Sequence, residues 1–143
     1  MENDNILMDP AVPYVSLGSR NFYSFIEMVR QGIDFSIFRA LVGKSKFSLS
    51  EWSSFLHISD RTMQRYQKEQ RPFDALQSEK IIEIALLFKK GKDVFGTDEK
   101  FNTWLDTTNI ALGGVKPKSL MDSSFGIQII SDELSHIEHG LLS

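Results

Sequence analysis

"SLSEWSSFLHISDRTMQRYQKEQ", residues 48–70, is the stretch on which the fold turns. Ser48 followed three residues later by Glu51 has the form of a capping box, in which each side chain satisfies a backbone amide of the other at a helix start. The helix it opens is expected to bury Leu49, Trp52, Phe55 and Leu56. "HIS", residues 57–59, leaves room only for a tight turn, after which a second helix turns Met63 and Tyr66 inward while Ile58 fills the space between the two. Two short helices joined by such a turn match the helix-turn-helix pattern, whose second helix enters the DNA major groove with its N-terminal residues toward the bases.

With Met63 and Tyr66 inward, Arg61, Arg65 and Lys68 fall together at i, i+4 and i+7, flanked by Thr62 and Gln64. That set has the chemistry of base readout: arginine makes bidentate contacts to guanine, glutamine to adenine, and a threonine methyl meets thymine. Ser59 and the exposed amides of the helix start, with Lys44, Lys46 and Arg71 nearby, suit phosphate oxygens. The competing reading is a solvated polar face, the usual fate of Arg, Gln and Lys on a helix.

Charge distribution bears on that choice. The formal net charge is -3, yet residues 36–72 hold Arg39, Lys44, Lys46, Arg61, Arg65, Lys68 and Arg71 against Glu51, Asp60 and Glu69, a surplus of four. Residues 119–143 contain no Lys or Arg and carry Asp122, Asp132, Glu133 and Glu138. A basic middle and an acidic end imply two different partner surfaces.

Outward from the central stretch, the periodicity is helical throughout and the expected class is all-α. Pro10 and Pro13 make residues 1–19 an N-terminal arm. Ser19 caps a helix to about Gln31 with Phe22, Phe25, Ile26 and Val29 on one face, and Gly32 ends it. A second helix, from Phe35 to about Gly43, places Phe35, Phe38, Leu41 and Val42 inward. Residues 74–94 contain "IIEIALLF", with Ile81, Ile84, Ala85 and Phe88 in one stripe and Ile82 and Leu86 in another, so the helix must be covered on most sides. Only Lys80, Glu83 and Lys90 remain for water. Gly91 is expected to weaken this helix and Gly96 to end it. Thr97 caps the next, which opens with Asp98 and Glu99 and buries Phe101, Trp104 and Leu105. "LGGVKP" is a turn, and Pro117 begins a short helix to Met121. The last helix, capped by Asp122 or Ser123, buries Ile127, Ile130, Leu134, Ile137 and Leu141, with Gly140 as its stop. The expected division is an arm at 1–19, a helix-turn-helix domain at 20–91 and a C-terminal domain at 92–143.

Composition narrows the function classes. A hydrophobic fraction of 41% over 143 residues supports a folded core, and no apolar run approaches the ~20 residues that cross a bilayer. "MENDNILMDP" is acidic where a signal peptide is cationic, so a cytoplasmic chain is expected. The absence of cysteine removes disulfides, thiol nucleophiles and thiolate metal sites. The one catalytic-looking cluster, "DELSHIEH", has its histidines three apart, not the four of an H-E-x-x-H zinc site, and offers no third ligand. A helix-surface pair is the better reading. No glycine-rich phosphate loop follows a strand, so neither an enzyme nor a cofactor is expected. His57 reads as a polar turn residue or phosphate neighbour.

"LSEWSSFLHISDRTMQRYQ" together with "WLDTTNIALGGVKPKSLMDSSFGIQIISDELSHIEHG" resembles the antitoxins of the Xre and RES toxin-antitoxin modules, including the ParS-like or MbcA-like group. The resemblance covers about residues 22–143 and is carried by Arg61 and Thr62 with Arg65, by Trp104 and Leu105, and by the N-x-x-L-G-G run from Asn109 to Gly114. Pro117, Leu120, Gly126 and the terminal "IEHG" complete it. Thr108 departs from the pattern, since many relatives have proline there. The resemblance implies an Xre-like domain that binds operator DNA through Ser59, Arg61, Thr62, Gln64, Arg65 and Lys68. It further implies a C-terminal toxin-binding domain whose tail blocks the active site of a NAD-consuming RES-domain toxin, and a homodimer within a larger complex. Asp132, Ser135, His139, Leu141, Leu142 and Ser143 are the candidate toxin contacts. Leu141 and Leu142 have two alternatives, a plug for the toxin cleft or a hydrophobic cap on their own helix. A helix-turn-helix transcriptional regulator without a cognate toxin is the alternative function.

Overall fold

A computed structural model of the chain describes the backbone of residues 20–142 and the side chains of residues 23–140. The expected arm, its Ser19 cap and the Phe22 side chain lie outside the described residues. Among those described, the chain is all-α: α1 (Arg20–Gln31), α2 (Phe35–Lys44), α3 (Leu49–Leu56), α4 (Asp60–Glu69), α5 (Ala75–Phe95), α6 (Asp98–Leu105) and α7 (Ser124–Leu142), with short 3-10 turns at Ile110–Leu112 and Pro117–Leu120. It divides into two compact units, Met1–Leu86 and Leu87–Ser143. No described helix is long and apolar enough to cross a membrane.

The first unit is built around rings. Phe38 and Trp52 are wholly buried and meet edge to face at 5.2 Å, and Phe73 sits 4.9 Å from Phe38. The indole N–H of Trp52 donates to the Ser45 hydroxyl at 3.1 Å, which satisfies the one polar atom of that side chain. The capping box forms as expected, with Glu51 N–H donating to Ser48 Oγ and Ser48 N–H to the Glu51 carboxylate, each at 3.0 Å. Residues 73–78 are strapped to the end of α1. Phe73 N–H donates to Ile33 O at 2.9 Å, and Ile33 N–H donates to the buried Ser78 hydroxyl at 2.8 Å. Gly32 makes this approach possible, because it holds φ +90 and a Cβ there would lie 2.4 Å from Phe73 O.

Several inward assignments shift by a residue. Leu49 is half-exposed and Phe47, which precedes the cap, is buried against Trp52 at 5.7 Å, as a residue before the N-cap often is. Ile37 and Met28 are buried where Val42, Ile26 and Val29 are only half-buried, since stripes assigned from short windows leave the edge of a face undetermined.

In the second unit, Phe101 is the centre, with Phe88 at 5.0 Å, Trp104 at 6.0 Å and Phe95 at 6.2 Å, while Trp104 itself is half-buried. Gly91 does not break α5. It admits the Phe101 ring, whose nearest atom would stand 2.4 Å from an added Cβ. Lys90, expected to face water, instead reaches α7, donating to the Ser131 carbonyl at 2.9 Å, the Ser131 hydroxyl at 3.1 Å and the Ser135 hydroxyl. Its ammonium thus finds its acceptors across the helix pair. The loop after Thr108 closes with Asn109 N–H donating to Val115 O and Gly114 N–H to Asn109 O, both at 2.9 Å, and Gly113 and Gly114 supply the positive φ it requires. Ser123 caps α7 through Gly126 N–H at 3.0 Å. Gly140 does not end α7, which continues to Leu142; a glycine keeping helical φ costs stability but does not force a stop.

Candidate nucleic-acid interface and protein-binding surface

The turn between α3 and α4 is tight because His57 adopts the left-handed conformation, φ 57 and ψ 40, with its N–H turned back to Ser53 O and Ser54 O. His57 is thus the turn residue itself. Ser59 then caps α4: its hydroxyl accepts from Thr62 N–H at 3.0 Å and donates to Thr62 Oγ1 at 2.9 Å. The Ser50 hydroxyl donates to the Asp60 carboxylate at 3.2 Å, tying the first turn of α4 to α3. Met63 is buried, Tyr66 half-buried, and Ile58 half-buried in the turn.

These constraints fix which side of α4 faces out. Arg61, Gln64, Arg65 and Lys68 are all exposed and share one face, as the spacing predicts, while Thr62 is half-buried at its edge. Ser59 and Thr62 are engaged with each other, so their hydroxyls are held in a fixed place at the helix N-terminus. One relation was not legible in the spacing. Tyr66 lies 5.8 Å from the Arg65 guanidinium and 5.5 Å from that of Arg71, each set over its ring. Cation–π contact of this kind restricts two long side chains next to the exposed face.

The C-terminal candidates separate into two groups. Asp132 and His139 are exposed on the side of α7 opposite Ile127, Ile130 and Leu134, whereas Ser135 is half-buried and bound by Lys90. Asp132 accepts from the Gln128 amide at 2.8 Å. Leu141 and Leu142 are described only as helical backbone and Ser143 lies outside the described residues, so the choice between plug and cap stays with the sequence. Ile137 is half-buried, at the edge of the apolar stripe. The pair in "DELSHIEH" is Glu133 with His136, whose Nδ1 stands 3.5 Å from the carboxylate. Among the described residues no cluster could hold a metal ion.

The same outer face of α7 carries two apolar side chains that the core stripe had hidden, Phe125 at 86% exposure and Ile129 at 45%. Their signal in the sequence was an i, i+4 pair out of phase with Ile127, Ile130 and Leu134. Elsewhere in this unit Lys118 and Lys116 bind Asp106 at 3.0 and 3.2 Å. Hydrogen bonds from Lys118 and then Lys116 hold that carboxyl below its ordinary range.

Comparison with known proteins bears on both surfaces. Residues 24–86 match the antitoxin Xre-like helix-turn-helix domain, and residues 90–140 match the antitoxin Xre/MbcA/ParS C-terminal toxin-binding domain. The chain is 30% identical over 87 residues to a Yersinia enterocolitica protein named Antitoxin Xre, an alignment spanning 60% of this chain and 59% of that one. It is also 22% identical over 140 residues to a Sphingobium protein named Prs ADP-ribosylating antitoxin, covering 92% of this chain and 88% of the relative.

Proposed function

We propose that this chain, which belongs to the Xre/MbcA/ParS antitoxin family through both of its matched domains, is the antitoxin of a type II toxin-antitoxin module and represses its own operon. The observation that carries this reading is the conjunction of two unlike surfaces on one chain. An exposed cationic face on the second helix of a helix-turn-helix stands in the Xre-like domain, and a partly apolar helix face within an acidic segment stands in the domain that matches toxin-binding sequences.

Arg61, Gln64 and Arg65 read bases, while Lys68 and the amides at the Ser59 cap hold phosphates, placing the chain on operator DNA as a homodimer. The partner is a RES-domain toxin that consumes NAD. Asp132 and His139 meet its cationic nucleotide cleft, and the tail through Leu141, Leu142 and Ser143 enters it. Ser135 contributes by holding α7 on Lys90. Both activities belong in the cytoplasm.

The test is co-expression with the protein encoded beside this gene, reading growth and cellular NAD, together with a mobility shift on the DNA upstream of the gene. Protection from NAD loss, abolished when residues 139–143 are deleted, is the expected result. Binding of DNA with no toxic neighbour to neutralise would instead support a helix-turn-helix regulator acting alone. Unchanged DNA binding by Arg61→Ala with Arg65→Ala would remove the operator assignment.

A further inference from the structure

We infer that Phe125 and Ile129 are the apolar anchor by which the C-terminal unit docks on its partner, and that the partner surface is an apolar groove rimmed by cations. The inference deepens the toxin reading and rests on it.

The observations are geometric and electrostatic. Phe125 and Ile129 are four residues apart on α7, 86% and 45% exposed, on the face opposite the buried Ile127, Ile130 and Leu134. Single exposed apolar residues are ordinary, but a large aromatic and a β-branched side chain stacked on one helical face form a continuous patch. Asp132 and His139 follow on the same face, so a stripe about 21 Å long runs from apolar to polar along the helix.

Charge selects the occupant. The segment from 119 to 143 has no Lys or Arg against Asp122, Asp132, Glu133 and Glu138. A second copy of this chain laid face to face on α7 would set one Asp132-bearing face of a net-negative segment against another, with no Lys or Arg from the segment to meet them. A partner offering cations around an apolar groove meets both parts of the stripe at once. This stripe lies within the residues that match the toxin-binding domain, and its apolar part precedes the candidate contacts Leu141, Leu142 and Ser143 along the chain. The tail then need only occlude the active site, because affinity is supplied earlier in the helix.

The experiment uses the full chain and the purified product of the adjoining toxin gene, inactivated in its catalytic site, in a titration by surface plasmon resonance. Phe125→Ala with Ile129→Ala should weaken binding about thirtyfold or more, the scale of a hot-spot truncation. Circular dichroism should stay unchanged, since both side chains point away from the core. Asp132→Lys should lower the association rate and flatten its salt dependence. Ile110→Ser, which removes an equally exposed apolar side chain from another element, should leave affinity within about threefold. Wild-type binding that survives the double substitution overturns this inference alone. A wild-type chain that does not bind the toxin overturns the toxin reading and this inference with it. A wild-type dimer that the double substitution converts to monomer assigns the face to a second copy, and overturns it too.

Discussion

Replacing Gly91 with alanine should destabilise the protein, although alanine is the better helix former. A Cβ at position 91 would lie 2.4, 2.4 and 2.5 Å from Cδ1, Cγ and Cδ2 of Phe101, where ordinary carbon contact is about 3.5–4.0 Å. The ring would have to retreat by more than about an ångström. It has nowhere to go, being fully buried with Phe88, Trp104 and Phe95 around it. Overpacking costs about 1–3 kcal/mol, and ring carbons at 2.4, 2.4 and 2.5 Å in a filled site put it in the upper half of that range, about 2–3 kcal/mol. Against about 1 kcal/mol of helix propensity gained, the net loss is about 1–2 kcal/mol and the fall in Tm roughly 3–6 °C. Gly140 provides the counterpart, since nothing lies within 4 Å of its added Cβ. Gly140→Ala should be neutral or stabilise by up to roughly 0.5 kcal/mol so close to a helix end. Urea unfolding followed by far-UV circular dichroism compares the two. Equal or greater stability of Gly91→Ala would refute the steric argument and return this glycine to the role of a simple helix weakener.

Three further outcomes follow from named contacts. Lys90→Met keeps the stem but removes the ammonium from Ser131 and Ser135, so α7 amides should exchange with solvent faster and stability fall by about 1–2 kcal/mol. Tyr66→Leu should weaken operator binding about three- to tenfold in a mobility-shift titration while Tyr66→Phe leaves it unchanged, because the ring and not the hydroxyl holds Arg65 and Arg71; equal effects would reject the stacking role. Asp106 has its folded pKa below the unfolded one, so whatever its cluster adds to folding is present at neutral pH and lost as pH falls through the lowered folded value. NMR titration of its carboxyl carbon should show that depressed midpoint, and Lys118→Met should raise it.

The helix-turn-helix was legible because local rules act there without help from the rest of the chain. The Ser48–Glu51 box and the Arg61, Arg65, Lys68 spacing each depend on a few residues close in sequence, and each appears where the spacing puts it. What was not legible required a distant partner. The role of Gly91 exists only once Phe101 arrives, and Lys90 reads as a surface cation until Ser131 and Ser135 stand beside it. The left-handed His57 is hidden for another reason: histidine marks such a conformation far more weakly than glycine does. Phe125 and Ile129 were masked by the stronger stripe running through the same helix.

Gly126 is seated so closely on the turn before α7 that a Cβ there would fall 1.7 Å from Leu120 O. Its neighbour Phe125 is among the most exposed large apolar side chains of the described residues. Foundation and display are thus one peptide bond apart. Position 126 has almost no chemical freedom, since any side chain would push the helix off its backbone rest and redirect everything beyond it. Position 125 inherits that fixed aim with nothing of its own at stake in folding. A lineage could therefore re-tailor what the helix presents by changing one residue, generation after generation, while the mount stays glycine.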